Sequence, residues 1–314
     1  MSILNQNFAF VFPGQGSQKV GMGKALVEEF PVAKDVFMRA DDILGYSLSK
    51  LAWEGPEDEL NDTVNTQPAL FVHSVAALAT FKDIFTDKSP AMIAGHSLGE
   101  LSALVASEAL SFEHGLKLVH NRGKLMKQAG EVSPGGMAAI LGLTIPEVEK
   151  VCEEASSGED IVQIANDNCP GQVVISGAGP AVERALPLAK DLGAKRAIPL
   201  AVSVAAHSYL MAQAQSAFKE VVMASSLSFP KVPIIGNVSA LPLGDIPAIE
   251  ADLEAQLTSR VRWTDTIEYI IKNGTSTFIE IGTGKILTGL IRRIDRDASR
   301  STLGTPEDFQ NLQS

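Results

Sequence analysis

The strongest constraint on this chain is a repeated passage from a short apolar run, through a glycine turn, into a helical pattern. Phe8–Phe12 runs into Pro13-Gly14-Gln15-Gly16-Ser17-Gln18, and a helical pattern follows from Gly23 to Ala40. Ala91–Gly95 runs through His96-Ser97-Leu98-Gly99 into a helix near Glu100–Ser107. Short apolar runs bounded by turn residues suit strands buried on both faces. Strands alternating with helices suit an α/β fold, a parallel sheet covered by helices. Further helices are expected at Pro68–Phe85, Phe112–Ala129, Ser208–Met223, Ile249–Leu257, Thr264–Lys272 and Lys285–Ile294, with strands at Val232–Asn237 and Thr277–Ile281. The polar tail after Arg300 is expected to be loosely held.

The rhythm changes between Ser133-Pro134-Gly135-Gly136 and about Val204. Strands are expected there at Gly136–Leu143, Ile161–Ala165, Gln172–Ser176 and Arg196–Val202, and helices at Pro146–Ser156 and Pro180–Leu192. The order β-α-β-β-α-β is the ferredoxin-like pattern. The 314 residues therefore divide into a large subdomain, 1–132 with 205–314, and a small inserted one, 133–204, a division that the length permits. A net charge of -11 argues against a nucleic-acid partner. Cys152 and Cys169 are too few for a disulfide framework and fit free thiols in a reducing compartment. No apolar run reaches the ~18 residues needed to span a bilayer, and the N-terminus lacks a signal-peptide pattern. A cytoplasmic protein with no membrane partner, acting as a monomer, is expected.

Gly95-His96-Ser97-Leu98-Gly99 fits G-x-S-x-G between an expected strand and an expected helix. A sharp turn in that context lifts the serine hydroxyl above the sheet, and the flanking glycines leave room for it. The helix N-terminus supplies unpaired N–H groups, so that of Leu98 is placed to hold an oxyanion. A serine nucleophile needs a base. Of the histidines, His73, His114 and His120 fall in expected helices, and His96 points elsewhere on the turn. His207 ends the apolar stretch Ala197–Ala206, where a strand's carboxyl end gathers catalytic groups. No aspartate marks itself as a third member, because Asp160, Asp167 and Asp191 all fall in the insert; a backbone carbonyl could orient the imidazole instead. Arg122 borders the apolar stripe Phe112, Leu116, Val119 and Met126. It needs an anion there, either an internal carboxylate or that of a substrate gripped bidentately. Gly14-Gln15-Gly16 and Gly282-Thr283-Gly284-Lys285 lack the remaining residues of nucleotide-binding loops, and no metal-ligand cluster is present. No cofactor is expected.

These residues resemble the malonyl-CoA:acyl carrier protein transacylases of bacterial fatty acid synthesis. The likeness runs in order through Pro13–Gln18, Gly95–Glu100, Asn121-Arg122-Gly123-Lys124, Pro170-Gly171-Gln172-Val173-Val174, Ser203-Val204 with His207, and Gly284-Lys285 with Leu287-Thr288-Gly289-Leu290. It implies an α/β-hydrolase-like core with a ferredoxin-like insert, Ser97 as nucleophile and His207 as base. It implies an oxyanion hole from the Gln15 and Leu98 N–H groups, and Arg122 on the malonyl carboxylate. Gln256 would lend its carbonyl to the histidine and belong to the substrate site, with Asn166 and Gln172 at the cleft mouth. Lys195 and Arg196 would meet phosphates of coenzyme A or of the carrier arm. Malonyl-CoA and a holo acyl carrier protein are the implied partners, the coenzyme A thioester being a substrate. Further basic candidates for docking an acidic carrier are Lys285, Arg292, Arg293 and Arg296. The chain departs from the family at Ala205-Ala206, Arg260 and Thr283. A serine hydrolase or thioesterase, a non-catalytic carrier-docking protein and a polyketide or polyunsaturated fatty acid acyltransferase remain the alternatives.

Overall fold

The computed structural model describes residues 4, 6–202 and 204–313. Ser203, part of the motif that precedes His207, lies outside the described residues. The strands in chain order are β1 (Phe8–Phe12), β2 (Met92–Gly95), β3 (Gly135–Leu141), β4 (Val162–Cys169), β5 (Gln172–Ala178), β6 (Arg196–Pro199), β7 (Ile234–Ile235), β8 (Val261–Arg262), β9 (Thr277–Ile281) and β10 (Ser299–Leu303). They build two sheets, ordered β10-β9-β1-β2-β7 and β6-β3-β5-β4-β8.

Every pairing in the larger sheet is parallel. Its central strand is buried on both faces, as a parallel sheet covered by helices requires. Alternate residues of β1 serve different cores. Phe8, Phe10 and Phe12 pack with the long helix Thr63–Ile84, and Phe10 meets Phe81 edge-on at 5.0 Å. Ala9 and Val11 pack with Trp263, Ile267 and Phe278 on the opposite side. The long helix starts five residues before the expected Pro68. Asp62 caps it by accepting Val64 N–H, and Pro68 stands inside the helix, where its missing N–H leaves one carbonyl of the first turn without its helical donor.

In the smaller sheet β3 pairs antiparallel with β5 and β6, and β4 antiparallel with β5. That is the strand arrangement of a split βαβ unit. Helices Ile145–Ala155 and Gly179–Asp191 cover one face, burying Ile140, Val151, Ile175 and Val182. Met137, Asn166 and Val174 line the cleft on the side that these two helices do not cover. The fifth strand, β8, comes from the later segment and pairs parallel with β4 through Asn166↔Val261 and Asp167↔Arg262.

The expected elements are corrected in several places. The helix from Gly23 to Ala40 is two, Lys24–Glu29 and Pro31–Leu44, because Phe30 is extended ahead of Pro31. The strand expected to reach Val202 stops at Pro199, and Leu200–Val202 continue as irregular backbone along the cleft. The helix after His207 opens as a 3-10 turn, Tyr209–Met211, before Ala212–Met223. The tail is not loose. β10 adds a parallel edge strand to β9, and the helix Pro306–Gln313 buries Phe309 and Leu312 against the main core. Asp308 locks the turn by accepting from Thr302, Gly304 and Thr305. Among the described residues no helix is long and apolar enough to cross a membrane.

Candidate active site

β2 ends at Gly95 and the next helix begins at Gly99, leaving three residues to reverse the chain. Ser97 takes φ 52°, a left-handed conformation that few non-glycine residues adopt. The turn closes only because its flanks lack side chains. A Cβ on Gly95 would overlap the Gly99 carbonyl, and one on Gly99 would overlap the carbonyl of Phe12.

His207 also sits at positive φ, 58°, with its Nε2 2.8 Å from Ser97 Oγ. Its Nδ1 lies 2.8 Å from the carbonyl oxygen of Gln256. A carbonyl can only accept, so Nδ1 carries the hydrogen and Nε2 presents its lone pair to the serine. Burial, and then the nearby charge of Arg122, push the imidazole pKa down to about 3. The resting histidine is therefore neutral.

Arg122, expected at the border of an apolar stripe, is 1% exposed. Its Nη1 donates to Gln67 Oε1 at 2.9 Å, and its Nη2 to Gln256 Oε1 at 2.8 Å and Ser97 Oγ at 3.1 Å. All three acceptors are neutral, and Nε has no hydrogen-bond partner among the described residues. Of the two anions expected for it, an internal carboxylate forms no ion pair with it among the described residues. Burial pulls the guanidinium pKa down to about 10, so it remains charged at neutral pH.

Ser97, Arg122 and His207 open onto a cleft of about 940 Å³. It lies between the carboxyl ends of β1 and β2 and the Met137, Asn166 and Val174 side of the small sheet. Gln15, Asn166 and Gln172 line it too. Among the described residues neither Gln15 N–H nor Leu98 N–H is engaged by a backbone or side-chain acceptor. Gln15 is held by its side chain, whose Oε1 accepts from Thr63 Oγ1 at 2.9 Å. A serine hydroxyl on a strained turn, a neutral imidazole at 2.8 Å and two free N–H groups are an arrangement that can carry out acyl transfer through a serine ester.

The acyl transferase domain model matches residues 9–303. The chain belongs to the acyl transferase family. It is 46% identical over 302 residues to the malonyl CoA-acyl carrier protein transacylase of Bacillus subtilis (strain 168), covering 96% of this chain and 95% of the relative. Its fold matches the crystal structure of an acyl carrier protein S-malonyltransferase from Vibrio cholerae with a TM-score of 0.94 and 42% identity, covering 98% and 99% of the two chains. A malonyl-transacylase solved with a type II PKS acyl-carrier protein matches equally, with a TM-score of 0.94, 42% identity and 98% of each chain covered.

Within this acyl transferase the remaining expected residues separate. Gln256 does not line the cleft; it lies behind Ser97, 2% exposed, and bonds Arg122, His207 and the Ser97 carbonyl oxygen. Its place in the substrate site is corrected to a support behind it, because its whole side chain is consumed by buried neighbours. Gln172 accepts from Arg293 Nη1 at 2.6 Å. Lys195 and Arg196 are exposed outside the cleft, Arg196 on edge strand β6 opposite Leu141, which itself pairs with Gln172. Sequence reasoning misses Gln67, Asn237 and Asp252. Asn237 accepts Ser97 N–H and donates to Gly95 O, both at 2.7 Å. The available signal was its position two residues past β7, which pairs with the strand that leads into the Ser97 turn.

Proposed function

We propose that this acyl transferase moves a malonyl group from coenzyme A to the phosphopantetheine thiol of an acyl carrier protein, supplying fatty acid elongation, with Ser97 as the carrier of the group. The relatives' names support the substrates. The observation that carries the reading is Arg122, a buried guanidinium beside the nucleophile with only neutral partners. A malonyl carboxylate is the missing counterion, and a planar guanidinium can take it bidentately.

Ser97 Oγ attacks the thioester carbon while His207 Nε2 takes its proton. The carbonyl oxygen becomes an oxyanion held by the N–H groups of Leu98 and Gln15, one of which alone is worth roughly 10²–10³ in rate. The C–S bond breaks, and the departing coenzyme A sulfur takes the proton back from Nε2. The pantetheine thiol then repeats the sequence on the Ser97 ester. Arg122 releases Ser97 Oγ in favour of the carboxylate once the ester forms. Asn166 and Gln172 would contact the pantetheine arm near the mouth, and Lys195 and Arg196 its phosphates. Residues 133–204 act in this reading as an inserted small subdomain supplying one wall, and 1–132 with 205–314 as the catalytic subdomain. Two buried unpaired cysteines fit work in the cytoplasm.

Intact-mass measurement after incubation with malonyl-CoA tests the proposal. A malonyl-sized gain is expected that Ser97→Ala abolishes and a holo carrier protein discharges. Arg122→Ala should lower malonyl kcat/KM by about two to three orders of magnitude while changing acetyl transfer far less, since it removes a desolvated charge partner. Release of free coenzyme A without an adduct would instead indicate a hydrolase, and no reaction at all a non-catalytic docking protein.

A further inference from the structure

Beneath the Ser97 turn lies a second polar cluster that takes no direct part in the acyl transfer just described. Glu100, in the first turn of the helix Gly99–Ala106, is wholly buried, and Asp252, on the helix Ile246–Gln256, is 5% exposed. The two carboxyls converge on one donor. Asn237 N lies 3.3 Å from Glu100 Oε1 and 3.2 Å from Asp252 Oδ2, so the two carboxyls sit side by side on one N–H. Two buried carboxylates in contact cannot both be ionised, so a proton must lie between them. Asp252 is the better seat for the negative charge, because it accepts backbone N–H bonds from Asn237 and Val238. Glu100 holds the proton; burial and the charge of Asp252 push its carboxyl well above the usual carboxylate range.

The cluster grips both ends of the strained residue. Asn237, whose N–H reaches the carboxyl pair, accepts Ser97 N–H through its side chain. Gln256, whose amide donates to Glu100 Oε2, also donates to Ser97 O at 3.1 Å. The backbone carbonyl of that same glutamine receives His207 Nδ1–H. We propose that Glu100 and Asp252 share one proton and serve as positioning residues that, through Asn237 and Gln256, hold the left-handed turn of Ser97 in register with His207. The inference rests on the Ser97–His207 pair proposed above and is independent of the malonyl group.

Labelling of Ser97 by a fluorophosphonate, followed by intact mass, tests it without any acyl thioester, so a failure of malonyl transfer and a failure of this inference read differently. Glu100→Ala and Asp252→Asn should slow labelling about ten- to a hundredfold, since each leaves buried groups mispaired. Glu100→Gln imitates a protonated acid: its N–H can donate to Asp252 and its carbonyl can accept from Gln256. It should restore the rate to within about threefold of native. A pH profile separates positioning from plain stability. The native rate should turn down at alkaline pH as the shared proton leaves, whereas that of Glu100→Gln stays level there. Arg122, His207 and His96, the other titratable groups around the turn, are the same in both proteins. An infrared difference spectrum, native minus Glu100→Gln, should show a protonated-carboxyl stretch at neutral pH. The proposal is overturned if Glu100→Gln labels as slowly as Glu100→Ala, if the two pH profiles coincide, or if the carboxyl band is missing. Should Glu100→Ala or Asp252→Asn not fold, the profile and the band decide alone.

Discussion

His207 and Ser97 face each other from left-handed backbone positions, at φ 58° and 52°. Such conformations cost about 1–3 kcal/mol each and persist only where neighbours over-determine them. What over-determines them here is Asn237, which accepts Ser97 N–H, and Gln256, which donates to Ser97 O and accepts from His207 Nδ1. The same enclosure sets the pH behaviour. With its pKa pushed down to about 3, His207 is neutral wherever an ordinary histidine, near about 6.5, would titrate. Its depressed value contributes stability that is present above the ordinary pKa and lost as pH falls toward the folded one. The Ser97 acylation rate should therefore run level from roughly pH 5.5 to 8, and the His207 imidazole should show no NMR titration over that range. A shift centred near the ordinary histidine value would sink this account. Ser97 is visible in the sequence because it stands in a strand–turn–helix motif; His207 was expected at a strand's end, but β6 stops at Pro199 and the irregular segment beyond it carries the histidine. Asn237 ends the same kind of apolar run, yet nothing separates it from a turn asparagine. The Gln256 contact with His207 is made by a backbone carbonyl, which residue type does not specify.

Elements were legible where apolar runs were long enough to show a period. β1, β9 and the helices of the small sheet follow from pattern alone, whereas β7 and β8 hold two residues each and show none. The tail misleads for a related reason. Its apolar residues Phe309 and Leu312 are sparse, but both are buried, and Phe309 meets Phe30 at 5.4 Å. The turn between β2 and the helix Gly99–Ala106 is the element with the least freedom, because backbone passes where a Cβ would have to sit. Gly95→Ala should accordingly lose roughly 4 kcal/mol or more, or fail to fold, by thermal denaturation. Gly289→Ala is the matched control. That helical position has open space around it, so the substitution should stabilise by about 0.5–1 kcal/mol. Equal melting temperatures for the two variants would mean that the turn tolerates a side chain after all.

On the scale of the whole molecule, the cleft exists because two sheets from interleaved segments are fastened to each other. β8 follows directly on the helix that ends at Gln256, pairs with β4 of the small sheet, and donates Arg262 N–H to Asn237 O. The wall carrying Asn166 and the floor carrying Ser97 are thereby tied together within a few residues. Charge is arranged against the overall balance. The chain carries a net -11, yet Arg196, Arg292 and Arg293 stand exposed, and Arg293 donates to Gln172 at the cleft. An acidic carrier protein meets general repulsion and must be drawn by such local sites, and a phosphorylated arm by the same ones. A pantetheine thioester without phosphate has neither need. Joint charge reversal, Lys195→Glu with Arg196→Glu, should therefore raise KM for malonyl-CoA and for the carrier about tenfold or more at low salt. It should leave kcat/KM for malonyl-pantetheine within about twofold of native, because Ser97, His207 and Arg122 lie too deep for surface charges to reach through solvent. Rising ionic strength should shrink the first effect and leave the second alone. Equal losses on all three substrates would show that these side chains support the sheet edge rather than read phosphate.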